Sequence, residues 1–272
     1  MKRIPLLFRK SVSYAFIIIS GISTIVGLWG YTIKDINPQW AWWKWALVLL
    51  GTYLVVSLII GLIIKAKEHK PLTISINGKT VKIKVGNIFS EEGYKVIPFN
   101  ERFDTQVNDI IIAHNTLNGK LIDNYIEDIN ELKNTILSAA FEDSYYKPTF
   151  IEGKAVYPLG RLIPYNDYLL LSFTHFDEHN QAYISVGEYE QILLRMWKEM
   201  RRVYAAKHIV IPLLGAGITT IDGTQEKNYT DLLKCILCTL RSSMFQPEQG
   251  MTITLTSDTI KQINMNSIKE EF

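Results

Sequence analysis

The sequence predicts an α/β domain preceded by a two-helix membrane hairpin. Two long uncharged apolar runs within the first 65 residues predict the hairpin. Strand patterns alternating with helix patterns over the rest of the chain predict a layered sheet with helices on both faces.

The hairpin is the simpler element. Ser11 to Ile33 carries no charge between Lys10 and Lys34, and Trp45 to Ile64 carries none between Lys44 and Lys65. A helix needs roughly 20 apolar residues to cross the hydrocarbon core, so spans are expected at about 11–33 and 45–64. A secretory signal would end at a small-residue cleavage site. Here the first run closes on Trp29, Tyr31 and Thr32, and a second run follows at once. The link from Lys34 to Gln39 is too short for a domain, and Trp29, Tyr31, Trp40, Trp42, Trp43 and Trp45 cluster where an interfacial belt would lie. The alternative is a buried helical pair of a soluble protein. Lys2, Arg3, Arg9 and Lys10 precede the first run, and Lys65, Lys67 and Lys70 follow the second. The positive-inside rule then puts both termini in the cytoplasm. Residues 1–66 form the expected hairpin and 71–272 the cytoplasmic domain. Neither span carries an internal charge, so no ion path is built in. Ser23 and Gly27, one turn apart, permit close helix contact.

Charge separates the two parts. The net charge of +2 combines nine Lys/Arg against two Asp/Glu in residues 1–70 with 20 against 25 in the remainder. A basic collar suits anionic lipid, whereas a mildly acidic domain lacks the footprint of a nucleic-acid binder. Cys235 and Cys238 are the only cysteines. Their C-x-x-C sits in an apolar stretch at helical spacing and reads as buried small side chains, not as a redox or metal pair.

The domain's elements follow in order. Leu72, Ile74 and Ile76, then Val81, Ile83 and Val85, alternate about Asn77-Gly78 and predict a β-hairpin. Lys95 to Phe99 reads as a buried strand, Lys120 to Phe141 as one helix, and Tyr168 to Phe173 as a buried strand. Ser185-Val186-Gly187-Glu188 fits a capping box before a long amphipathic helix. His208 to Leu214 is a strand, Asn228 to Met244 a helix, and Met251 to Thr256 a strand; Ser257 or Asp258 caps a last helix toward Ile268.

Strand ends carry the chemistry. After Ile209-Val210-Ile211-Pro212, the turn Leu214-Gly215-Ala216-Gly217-Ile218-Thr219 has little side chain to stop backbone N–H groups converging on an anion. It is neither a Walker A loop nor a full G-x-G-x-x-G. A plain tight turn is the alternative. Gly86-Asn87-Ile88 ends the hairpin, and Asn100 ends the next strand, followed by Phe103, Asp104 and Thr105. His175 and His179 mimic metal spacing, but a strand end does not align them as a helix would. No Gly-x-Ser-x-Gly elbow is present.

In this order the motifs resemble the macro domain family, a three-layer α/β/α module that binds ADP-ribose, over roughly residues 72–256. The resemblance implies that Asn87 and Ile88 sit where the family reads adenine, Asn100 beside the distal ribose, and Leu214 through Thr219 around the diphosphate. Phe103 would stack on or seal the pocket, with a place in the core as the alternative, and Asp104 would accept from a ribose hydroxyl or an amine, with a cap or turn role as the alternative. Two departures stand out. Asn87 replaces an Asp, and no glycine run follows Asn100; Gly119 comes well later. With no positioned water assignable, the pattern looks like a binding pocket and not an enzyme. With NERFDT, LSFTHFDE and VIPLLGAGIT behind two spans, the chain resembles the membrane effectors of type II Thoeris antiphage defence. That resemblance implies a bacterial inner-membrane protein with no cofactor. It would bind a histidine conjugate of ADP-ribose made by a TIR-domain partner, assemble as a homo-oligomer, and disrupt the lipid bilayer. A membrane-tethered ADP-ribosyl hydrolase, or a reader of ADP-ribosylated proteins, is the alternative.

Overall fold

A computed structural model describes residues 6–28, 41–68, 71–141, 146–151, 153–224 and 226–272. The chain divides into two compact units, 1–70 and 71–272.

In the first unit, helices α1 (Leu6–Leu28) and α2 (Trp42–Glu68) pair. The Tyr53 hydroxyl donates to the Val12 carbonyl at 3.1 Å, and Ala15 and Ser57 are buried. The remaining described surface is apolar and open, with Phe16, Ile17, Leu50, Leu54 and Leu58 all more than half exposed. Among the described residues a Cβ added at Gly27 would meet nothing within 4 Å. Within the described residues both helices continue beyond the uncharged runs into charged flanks, α1 from Leu6 and α2 to Glu68; hydropathy marks where a helix is apolar, not where it starts. Charged Lys and Arg continue a helix well. The link Lys34–Gln39, with Trp29, Tyr31 and Trp40, lies outside the described residues, as do the side chains of Trp42, Trp45 and the basic flanks. Among the described residues no helix is long and apolar enough to cross a membrane. The described side chains cover only 12–27 of α1 and, Trp45 apart, 43–62 of α2. The backbones of 23 and 27 residues, by contrast, extend roughly 35 and 40 Å at the usual helical rise.

The second unit is a mixed sheet between two helical layers. Strands β1 (Leu72–Ile76) and β2 (Lys79–Val85) pair antiparallel through the expected Asn77-Gly78 turn. Then come β3 (Tyr94–Asn100), α3 (Leu117–Tyr125), α4 (Ile129–Ala139), and the small hairpin β4 (Thr149–Ile151) and β5 (Lys154–Val156). Next are β6 (Leu162–Tyr165), β7 (Tyr168–Phe176), β8 (Ala182–Ile184), α5 (Val186–Val203), β9 (Ile209–Pro212) and β10 (Thr220–Ile221). Helix α6 (Tyr229–Ser243), β11 (Met251–Leu255) and α7 (Met265–Glu271) complete the unit. The sheet order is β1-β2-β11-β9-β3-β7-β8-β10, with β6 against β7. Its five central strands, β2, β11, β9, β3 and β7, run parallel.

Strand periodicity divides the core. Val96, Leu169, Leu171, Ile209 and Ile211 face one apolar cluster with α5 and α6; Ile97, Leu170 and Val210 face the other with α3 and α4. Both faces are thereby covered, as a parallel sheet requires. The capping box forms as expected, with Ser185 Oγ accepting from Glu188 N at 3.2 Å and Glu188 Oε2 from Ser185 N at 2.8 Å.

Three expectations are corrected. The helix expected over 120–141 is two, because Asp128 accepts from the N–H groups of Asn130 and Glu131 and restarts the helix. The last helix begins not at Ser257 or Asp258 but after Asn264, which accepts from Ser267 N at 3.2 Å. A short 3-10 turn, Ile260–Gln262, fills the interval. Cys235 and Cys238 are half-buried, not buried, and form no disulfide. Burial pushes the Cys235 thiol up to about 11, which keeps it from thiolate chemistry.

Trp197 ties the two helices of one layer: fully buried on α5, it donates from Nε1 to Thr239 Oγ1 on α6 at 3.1 Å and stacks on Phe245. Trp197→Ala should lower the unfolding free energy by about 3–5 kcal/mol, read as a lower urea midpoint with an unchanged slope.

Candidate ligand-binding site

The five parallel strands end along one edge, and a cleft of about 610 Å³ lies there. That volume falls in the range of small-molecule sites. Every one of the five contributes, through Gly86–Ile88 after β2, Thr254–Thr256 at β11, Leu213–Thr219 after β9, Asn100 of β3 and Phe173–Thr174 of β7.

The loop after β9 is shaped by its glycines and one tyrosine. Leu213 N donates to Thr254 O at 3.2 Å and Ala216 N to Leu213 O at 3.1 Å. Among the described residues, the N–H groups of Gly215 and Gly217 meet no backbone acceptor. Gly215 has φ +81°, and a Cβ there would stand 3.2 Å from the Tyr189 ring. The buried Tyr189 hydroxyl, its pKa raised by burial, donates to Leu214 O at 2.9 Å and fixes where the loop leaves the strand. Nothing in the local sequence signals Tyr189; it comes from α5, 25 residues earlier.

Asn100 is held from behind. Its Nδ2 donates to Asp104 Oδ2 at 2.6 Å, and its Oδ1 accepts from Asp104 N at 3.0 Å. Asp104 thus orients Asn100 and is not on the cleft wall. Phe103, placed at φ +49° by this turn, does not seal the pocket either. It is buried against Tyr157 and Phe99 in the second core cluster. Thr105 is half-buried and away from the lining. Asn87, Ile88, Asn100 and Leu214 through Thr219 all line the cleft. Asn87 caps the 3-10 turn Ile88–Ser90, accepting from Phe89 N at 3.2 Å, so its amide Nδ2 remains to face a ligand.

The remaining wall escaped the sequence reading. Ile111–Ala113 and Asn115–Asn118 line the cleft, as do Phe176, Asn180 and Ala182. Gly119 explains how. A Cβ at this position would lie 2.3 Å from the Ala113 carbonyl, so only glycine lets α3 pack onto that loop. The one glycine set aside as distant is the one that builds the wall.

Behind the cleft, His175 is clamped between two carboxylates, Glu101 on Nδ1 and Glu188 on Nε2, the latter at 3.1 Å. Both ring nitrogens serve as donors only in the imidazolium. The Glu101 hydrogen bond, helped by Glu188 and opposed by burial, raises the His175 pKa above its usual value of 6.5. His179 is exposed, and among the described residues no group of His, Cys, Asp and Glu could hold a metal. Because the folded-state pKa is raised, the clamp's contribution is full below pH 6.5 and lost as pH rises through the raised value. Wild type should therefore exceed His175→Gln in urea midpoint at about pH 5.5, with the gap closing by about pH 9. A gap independent of pH would contradict the clamp.

The family described as "Thoeris protein ThsA, Macro domain" matches residues 81–256, which hold β2 from Val81 and the other four strands of the cleft entire. The chain belongs to the Thoeris ThsA family. The Thoeris protein ThsA of Bacillus amyloliquefaciens (strain Y2) is 37% identical over 234 residues, covering 82% of this chain and 77% of that protein. Since 82% of 272 residues exceeds the 202 residues of 71–272, the likeness to that ThsA extends into the helical unit. Solved macrodomain structures from Oceanobacillus iheyensis are also similar. A mutant with ADPR gives a TM-score of 0.48 at 13% identity, covering 74% of this chain and 98% of its own. The macrodomain with ADP gives 0.46 at 14%, covering 75% and 98%.

Proposed function

We propose that this ThsA-family protein is a membrane-anchored antiphage effector that senses an ADP-ribose-type messenger and does not transform it. The carrying observation is the convergence of five strand ends on one cleft, where Gly215 and Gly217 keep N–H groups open beside Asn100. Backbone N–H groups in such a turn suit a diphosphate.

The lining speaks against catalysis. Lys120 is its sole ionisable residue, with no Asp, Glu, His or Cys among the described lining residues. Acid–base hydrolysis draws most often on His, Glu or Asp, and Lys120 is the one side chain of this lining that could take up a proton. A binding role fits what is left.

The output of the signal falls to α1 and α2. Their uncharged runs between Lys10 and Lys34 and between Lys44 and Lys65, with the apolar surface from Phe16 to Leu58, support a bilayer as their surroundings. In this reading both termini are cytoplasmic and a TIR-domain enzyme makes the messenger, a histidine conjugate of ADP-ribose. Filling the cleft drives homo-oligomerisation and membrane disruption, which kills the infected cell.

Calorimetry of the full-length protein with ADP-ribose should show saturable binding with the ligand recovered intact. Gly215→Val, strained at φ +81° and crowded by Tyr189, should weaken it by more than about tenfold. Turnover of ADP-ribosylated substrate would favour the hydrolase instead, and an absence of binding would remove the sensor.

A further inference from the structure

A diphosphate brings two negative charges, yet among the described residues the cleft wall offers one cation, Lys120 of α3. A second stands behind the glycine loop. Lys227, in the segment between β10 and α6, donates from Nζ to the Gly217 carbonyl at 2.5 Å, and Gly217 lines the cleft. The side chain is half-buried. Burial pushes its amine below the usual lysine value, and among the described residues no carboxylate offsets that shift.

This is an unusual way to hold a lysine. A partly desolvated ammonium is costly unless an opposite charge compensates it, and a neutral carbonyl uses only one of its three donors. The four-carbon stem is flexible enough to move the charge across a glycine without disturbing the backbone. The position is informative too. The ammonium is anchored on the loop whose open N–H groups would receive the phosphates, so an anion bound there supplies the missing counter-charge.

We propose that Lys227 is the charge-reading residue of the messenger site, moving its ammonium from the Gly217 carbonyl to a phosphate oxygen when the cleft fills. Resting on the sensor reading above, this assigns diphosphate recognition to a residue outside the cleft wall. In the empty state the lysine latches the loop; in the filled state it clamps the ligand.

The test is calorimetry of full-length wild type, Lys227→Met and Lys227→Arg with ADP-ribose at low and high salt. Lys227→Met should bind about tenfold more weakly or worse, with the deficit shrinking at high salt as screening weakens the wild-type contact. Lys227→Arg should recover most of the affinity. The assignment is overturned if Lys227→Met stays within about twofold of wild type, if its deficit does not change with salt, or if Lys227→Arg is as weak as Lys227→Met. In each of those outcomes wild type still binds and the sensor reading stands. Wild type failing to bind ADP-ribose would remove both.

Discussion

Parallel strands cannot stop without leaving backbone groups unpaired, and here five neighbours stop together at one edge of the sheet. The ladder satisfies each strand along its length, but beyond Val85, Leu255, Pro212, Asn100 and Phe176 the chain must find other partners. Part of that demand is met locally. Gly86 N turns to Leu255 O, and Leu213 N turns to Thr254 O. The rest is left facing a cleft, and a ligand site follows from the topology. Its loops are braced from outside: Tyr189 on Leu214, Asp104 on Asn100, Gly119 against Ala113.

The bracing residues belong to packed elements, and this links the site to the body of the domain. Tyr189 lies on α5 within the larger core cluster, four residues after the Ser185 cap. Glu188, in that same cap, also holds His175 on β7, and Val186 N donates to Asp222 just beyond β10. The start of α5 is therefore tied both to a strand end and to the return of the glycine loop. A change at the loop has a physical route to the helical layer through these contacts.

Legibility in the sequence tracked how local the physics was. The Asn77-Gly78 turn, the Ser185 capping box and the glycine loop are each determined by a few consecutive residues, and each stands where the pattern put it. For Phe103 and Asp104 the sequence leaves two readings open, a place on the ligand or a place in the core and the turn, because a few consecutive residues do not say which way a turn faces. The turn after Asn100 sends one inward and sets the other behind it. The wall at Ile111–Ala113 depends on a helix docking through Gly119, which periodicity cannot express. Strands of two to four residues, such as β10 and β6, are too short for alternation to register. Lys227 had no motif to announce it.

The helical hairpin and the sensing domain are joined by one claim, that ligand in the cleft is what makes the helices act. The direct measurement is dye release from vesicles carrying the full-length protein, with an ADP-ribose-type messenger added to wild type and to Gly215→Val. The account predicts release that requires both the messenger and the intact loop, with the messenger unconsumed. Release without messenger, or equal release from the Gly215→Val protein, would contradict it.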